Sequence, residues 1–270
     1  MDSRQFEVEV GSAVLAVTQW GDGDSTIIAL HPGVGDSRIW NWCAPHWAEA
    51  GHRVIAYDRR GFGRTTCEIE PYDDLADLRA VLDATKTDSA VFVGNSNGGG
   101  LALDVAIAHP ERVSSLILLA PSVAGYDYSK WVEVPAEIEQ DEQIEAAQER
   151  GDLDEVNRLE LRYWLDGVEQ PEGRVTGAPR ELMHEMNGLA LRAPAVGDAA
   201  ERPDAWPSLA AVQAPALVVL GALDLPGYGP MCDALVAGLA NARLHIMADS
   251  AHCPALDAPR ELNRIVVGFA

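Results

Sequence analysis

Val91-Phe92-Val93-Gly94-Asn95-Ser96-Asn97-Gly98-Gly99-Gly100 is the most informative decapeptide of this chain. An apolar run ends at Gly94, a serine stands at the turn, and small residues open a helical pattern. The Gly-x-Ser-x-Gly spacing has a mechanical reason. A strand that turns at once into a helix forces the residue between them into strained backbone and lifts its hydroxyl above the sheet edge. Residues two before and two after that serine press against neighbouring backbone, and Gly94 and Gly98 meet the demand. A glycine-rich phosphate cradle is the competing reading. It fails because no Gly-Lys-Ser/Thr follows and the dinucleotide glycine spacing is absent.

Working outward, short apolar runs recur at Ser25–Leu30, Arg53–Tyr57, Ala90–Gly94, Val113–Leu119, Ala216–Leu220 and Arg243–Met247. Continuous apolar runs of this length suit strands buried on both faces. Helix-length patterns separate them, at Ser37–Ala50, Tyr72–Thr85, Gly98–Ala108, Gly229–Ala240 and Pro259–Phe269. Alternation of this kind predicts a mainly parallel sheet covered by helices, an α/β class. Two alternating stretches, Gln5–Val10 and Ala13–Trp20, predict a starting hairpin turned at Gly11-Ser12. From 124 to 202 no buried-strand run appears, and charged helical patterns take over at Glu137–Gln148 and Leu153–Leu165. The expected organisation is a core of residues 1–123 and 203–270 with a helical cap insertion over 124–202.

A serine hydroxyl is a poor nucleophile until a base takes its proton, and the base needs an orienting partner. Asp224 follows the run Leu217–Leu223, and His252 follows the last strand in Asp249-Ser250-Ala251-His252-Cys253-Pro254. Ligand sites in parallel sheets gather at the carboxyl ends of strands, where Ser96, Asp224 and His252 would meet. Their chain order is the nucleophile, acid, base order of the elbow architecture. A helix or turn cap is the competing reading for Asp224, and a lone histidine after a strand is usually a surface or capping residue; the elbow is what promotes His252. The stretch Ala120-Pro121-Ser122-Val123, after the sixth strand, holds no rival carboxylate.

Acyl chemistry also needs donors for an oxyanion. His31-Pro32-Gly33-Val34 follows the third strand. Pro32 has no amide hydrogen, so Gly33, with Val34 as the alternative, and the amide of Asn97 are the expected donors. His31, Asp58 and Arg59 read as loop braces. For the substrate pocket the candidates are Trp40, Trp131, Trp164, Met183 and Met186, with core packing the competing reading for each. The cap aromatics Tyr126, Tyr128 and Tyr163 belong to the same set.

The 42 acidic against 20 basic residues give a formal net charge of −22. Such a surface repels phosphate backbones and anionic lipid, so neither nucleic acid nor a membrane is an expected partner. Only two of the basic residues, Lys86 and Lys130, are lysines, a balance that suits a salt-adapted surface or an arginine-rich codon usage. Cys43, Cys67, Cys232 and Cys253 are scattered, without a Cys-x-x-Cys pair, which suits a reducing cytoplasm and no metal. The start lacks a basic end followed by an apolar run, so no signal peptide is expected.

In these motifs the chain resembles the α/β-hydrolase superfamily over essentially its whole length. The carriers are Leu30-His31-Pro32-Gly33, Asp58-Arg59-Arg60-Gly61-Phe62-Gly63, Gly94-Asn95-Ser96-Asn97-Gly98-Gly99, His109-Pro110-Glu111-Arg112, Gly221-Ala222-Leu223-Asp224 and Ala251-His252-Cys253-Pro254. The resemblance implies an eight-stranded sheet with a cap after strand six, a Ser96-Asp224-His252 triad and no cofactor. It is strongest toward small bacterial esterases and enol-lactonases, which implies cleavage of small-molecule esters or lactones through an acyl-enzyme. C–C hydrolysis of meta-cleavage products and cofactor-free haloperoxidase-like perhydrolysis are the alternatives, with a non-catalytic binding protein more remote. Pro32 departs from the glycine usual after that histidine. Whether copies assemble into a homo-oligomer is left open.

Overall fold

The computed structural model describes residues 3–270. Its strands are β1 (Ser3–Val10), β2 (Ala13–Trp20), β3 (Ser25–Leu30), β4 (His52–Tyr57), β5 (Ala90–Asn95), β6 (Val113–Leu119), β7 (Ala216–Gly221) and β8 (Ala242–Met247). They form one sheet in the spatial order β1-β2-β4-β3-β5-β6-β7-β8. The pairs β1–β2 and β2–β4 are antiparallel and every other pair is parallel. The apolar runs explain this arrangement. β5 and β7 are buried at every residue, as strands covered on both faces must be. β1, at the edge, carries mostly exposed side chains.

The helices are α1 (Ala44–Glu49), α2 (Asp74–Ala84), α3 (Asn97–Ala108), α4 (Pro135–Glu149), α5 (Leu153–Leu161), α6 (Ala178–Leu191), α7 (Tyr228–Gly238), α8 (Pro254–Asp257) and α9 (Pro259–Phe269). Because side chains alternate along a strand, each strand feeds two cores. Ile28, Phe92, Leu118 and Val218 pack with Leu78, Leu101, Met231 and Leu235 of α2, α3 and α7. Ile27, Val93, Ile117 and Val219 pack on the other face with Trp47, Leu262 and Val266 of α1 and α9. No helix among the described residues is long and apolar enough to cross a membrane.

Two expected helices are interrupted. Ser37–Ala50 divides into a 3-10 turn, Ser37–Trp42, and α1. The Asp36 carboxylate accepts from the Arg38 amide at 3.0 Å and so starts the first piece. Pro45, without an N–H, opens the second. Leu153–Leu165 is α5 followed by a π-helical turn, Arg162–Asp166, which stops at Gly167 with φ 93°. Gly167 is required there: a Cβ would lie 2.3 Å from the Leu223 carbonyl oxygen. Between β6 and β7 the chain therefore contributes α4, α5, this turn and α6, and it returns to the sheet through a 3-10 turn at Trp206–Ala211.

Candidate active site

β5 ends at Asn95, α3 begins at Asn97, and Ser96 between them has φ 52° and ψ −117°. A non-glycine residue in this region is strained and is held only because its surroundings dictate it. Those surroundings are specific. A Cβ on Gly94 would lie 2.3 Å from the Gly98 oxygen, and one on Gly98 would lie 2.2 Å from the Leu30 oxygen. The Ser96 amide donates to the Leu119 carbonyl at 2.9 Å, and the Ser96 carbonyl accepts from the Ser122 amide at 3.0 Å. The turn is clamped between β3 and β6.

The Asn95 side chain ties this turn to a distant loop, donating to the carbonyls of Leu119 at 3.1 Å and His252 at 3.0 Å. His252 Nδ1 lies 2.9 Å from Asp224 Oδ2, both side chains being almost wholly buried. Asp224 is itself fixed, because its Oδ1 accepts from the Leu225 amide at 2.8 Å. The imidazole packs against two rings, with centroids 4.6 Å from Trp164 and 5.1 Å from Tyr228. A cation formed on that ring would face two aromatic π-systems. The loop before it is held by Asp257, which accepts from Ser250 Oγ and the Ala251 amide, each at 2.7 Å. Burial raises the Asp257 carboxyl above its ordinary range, against the hydrogen bond from Ala251 and the guanidinium of Arg174, 2.7 Å away.

Ser96 and His252 open onto one cavity of about 610 Å³, whose wall also includes Gly33, Val34, Asn97, Ser122, Leu225 and Tyr228. Asn97 is the first residue of α3, where amides lack intrahelical acceptors and the helix dipole favours negative charge. Its side-chain amide lies 2.8 Å from where a Cβ on Gly33 would stand, so the two residues adjoin at the cavity wall. His31 is occupied elsewhere. Its Nδ1 is 2.7 Å from the Pro32 carbonyl, and its Nε2 accepts from the Arg59 amide at 3.1 Å. Asp58 accepts from the amides of Ser37 at 2.9 Å and Arg64 at 2.8 Å, bracing the neighbouring loops.

The other wall comes from the segment between β6 and β7. Trp131 and Trp164, expected at the pocket, line it, as do Tyr128 and Tyr163. Trp40, Met183 and Met186 do not, and their assignment to the pocket is corrected. Trp40 is 0% exposed and packs on Trp47, with centroids 5.8 Å apart, in the core on the α1 and α9 face of the sheet. Met183 and Met186 face inward from α6 into the core shared with α1 and α9, where their apolar volume is buried. Tyr126 is likewise core, stacked edge-on against Trp206 at 4.8 Å.

Sequence reasoning missed two features of this wall. Tyr228 is buried against His252, and its phenol is pushed well above its ordinary range by burial and by Asp224, with the Ser96 hydroxyl acting in the opposite sense. Its position four residues beyond Asp224, at the start of α7, was the available signal. The second is acidic: Glu133, Glu137, Asp141 and Glu160 all line the cavity. In the sequence they are indistinguishable from the many other charges of α4 and α5.

Comparison with known proteins agrees with this architecture. Residues 26–259 match the family model described as the alpha/beta hydrolase fold. A 2-hydroxy-6-oxo-6-phenylhexa-2,4-dienoate hydrolase of Comamonas testosteroni is 30% identical over 277 residues, covering 97% of this chain and 93% of that protein. A solved structure described as an N-acyl homoserine lactone degrading enzyme superposes with a TM-score of 0.75 at 26% identity, covering 98% of this chain and all of that one. An esterase of Exiguobacterium antarcticum, at 21% identity and a TM-score of 0.78, covers 97% of this chain and 98% of its own and shares the fold. Strand order, elbow and matched span point the same way: this chain is a hydrolase of the α/β-hydrolase family.

Proposed function

We propose that the protein cleaves carboxylic ester or lactone bonds of small molecules through an acyl-enzyme. The observation that carries this reading is the strained, clamped Ser96 opening onto the same cavity as His252, whose other nitrogen is 2.9 Å from Asp224. In this scheme His252 takes the Ser96 proton as the hydroxyl attacks the carbonyl, then returns it to the leaving alcohol. Asp224 holds the imidazole tautomer and stabilises its cation. The amides of Gly33 and Asn97, with Val34 adjoining, receive the oxyanion, and water activated by His252 releases the acid. Each step uses side chains and backbone of this chain alone. The residues 124–202 act as the cap that shapes the acyl and alcohol sites, in a soluble, cytoplasmic enzyme.

C–C bond hydrolysis is the second reading, favoured by the 30% identity to the dienoate hydrolase. Against it, that relative's named substrate is a carboxylate, whereas four carboxylates and, among the described residues, no lysine or arginine line this cavity. The test is a parallel assay of nitrophenyl esters, lactones and dienoate C–C substrates. Ester or lactone turnover is expected, with a Ser96-bound acyl group seen by mass spectrometry after acid quench. Ser96→Ala should lower that turnover at least about a thousandfold with the fold intact. Turnover of C–C substrates alone would overturn the ester reading.

A further inference from the structure

The acidic wall of the cavity is unexplained by hydrolysis of a neutral or anionic ester. Glu137 and Asp141 from α4 and Glu160 from α5 converge on the chamber that holds Ser96. Their hydrogen-bond donors are neutral: Trp131 Nε1 to Glu137 at 2.9 Å, Tyr163 Oη to Asp141 at 3.1 Å and Asn187 Nδ2 to Glu160 at 2.6 Å. Glu137 is only 2% exposed, and its second carboxylate oxygen is buried without a hydrogen-bond partner. A buried carboxylate oxygen left in this state costs free energy unless a donor or cation reaches it.

The donors that fix these carboxylates are themselves part of an aromatic lining. Trp131, Tyr163 and Trp164 share the cavity, with Tyr163 and Trp164 edge to face at 4.7 Å. Trp131 is wedged over Gly227, where a Cβ would lie 2.2 Å from the indole, so the ring's place is built in. Aromatic faces beside carboxylates in a sheltered site attract an ammonium group and reject a carboxylate.

We propose that this chamber recognises a substrate bearing a cationic group, a protonated amine or quaternary ammonium, held between Glu137, Asp141 and Glu160 and the rings of Trp131, Tyr163 and Trp164. Which bond is then cut rests on the ester or lactone reading; recognition of the charge does not. Burial raises the carboxyl groups of Glu137, Asp141 and Glu160 above their ordinary range, and Glu133 adds like-charge repulsion to Glu137 and Asp141. A bound cation relieves both effects. The formal charge of −22 draws the same class of ligand toward the molecule.

Three butyrate esters test this: the isosteric pair trimethylammonioethyl and 3,3-dimethylbutyl, and the anionic 2-carboxyethyl. Binding to Ser96→Ala is followed by tryptophan fluorescence, and hydrolysis by the wild type is measured in parallel. The cationic ester should bind Ser96→Ala at least about tenfold tighter than its neutral isostere, with the anionic ester weakest. Adding Glu137→Gln and Glu160→Gln should shrink that preference to within about threefold, by weakening the cationic ester more than the neutral one. Equal or tighter binding of the neutral ester, binding of none of the three, or a preference that survives both substitutions would overturn the proposal. Failure of the wild type to cleave any of the three, with the cationic preference intact, would instead remove the ester reading and support the recognition.

Discussion

Tyr228 is the side chain at which positioning and packing can be separated. Its ring lies against His252 at 5.1 Å, and its hydroxyl is beside Ser96. Tyr228→Phe keeps the ring and removes only the hydroxyl. One neutral hydrogen bond is worth about 1 kcal/mol, so kcat/KM should fall about five- to tenfold with an unchanged thermal midpoint. A lowered midpoint with unaltered kcat/KM would make Tyr228 a packing residue alone. The neighbouring geometry explains why Ser96 tolerates its φ of 52°. Backbone from β3, β6 and α3 closes around Gly94 and Gly98, so the strain has nowhere to relax.

At the scale of elements, Arg174 joins the segment between β6 and β7 to the His252 loop. Its guanidinium donates to the carbonyls of Leu165 at 2.6 Å, Asp166 at 2.7 Å and Asp249 at 3.1 Å, besides pairing with Asp257. Arg174→Gln removes the cation from the buried Asp257 carboxylate, which keeps its bonds from Ser250 and Ala251, so the cost should be about 1–3 kcal/mol. Urea unfolding should show that loss, and Asp257→Asn added to it should recover part. α5 supplies a second case, with the opposite sign. Burial raises the Glu160 carboxyl in the folded state above its ordinary value. Its protonated form is therefore the one that the fold favours. That contribution is fully present below the ordinary glutamate pKa and is lost as pH rises through the folded one. Glu160→Gln, whose amide oxygen still accepts from Asn187, should raise the thermal midpoint at about pH 8. The gain should vanish near about pH 4, where glutamate itself is protonated. A gain independent of pH would mean that charge burial is not its cause. Such a cost, held at a cavity wall, is what a binding role demands.

For the molecule as a whole, 42 acidic residues against 20 basic ones set the folded state against its own charge. Self-repulsion of a compact anion falls as the Debye length shrinks from about 30 Å at 0.01 M salt to about 3 Å at 1 M. The thermal midpoint should therefore rise steadily with sodium chloride over that range. A flat or falling midpoint would show that the acidic residues are spread too widely to repel. The sheet itself offers no such lever, since β5 and β7 are buried throughout and gain their stability from apolar packing on two faces.

By itself the amino-acid sequence determined what depends on a few consecutive residues. The glycines around Ser96 dictate the elbow because the clashes they avoid are with backbone within four residues or at the adjoining strand end. Buried apolar runs announce parallel strands, and their carboxyl ends mark where Ser96, Asp224 and His252 gather. Pro45 opens α1 and Gly167, at φ 93°, closes the turn after α5, though the apolar pattern runs past both. Only the tertiary structure decided which side chains of the segment between β6 and β7 face the chamber. Trp131 and Trp164 line it, while Met183, Met186 and Tyr126, of similar apolar character, turn into cores. The same holds for the acidic wall and for Tyr228. A helix rotated by one residue presents another face, and that rotation is set by α4, α5 and α6 packing on each other and on the sheet's edge loops. No short stretch of sequence encodes those contacts.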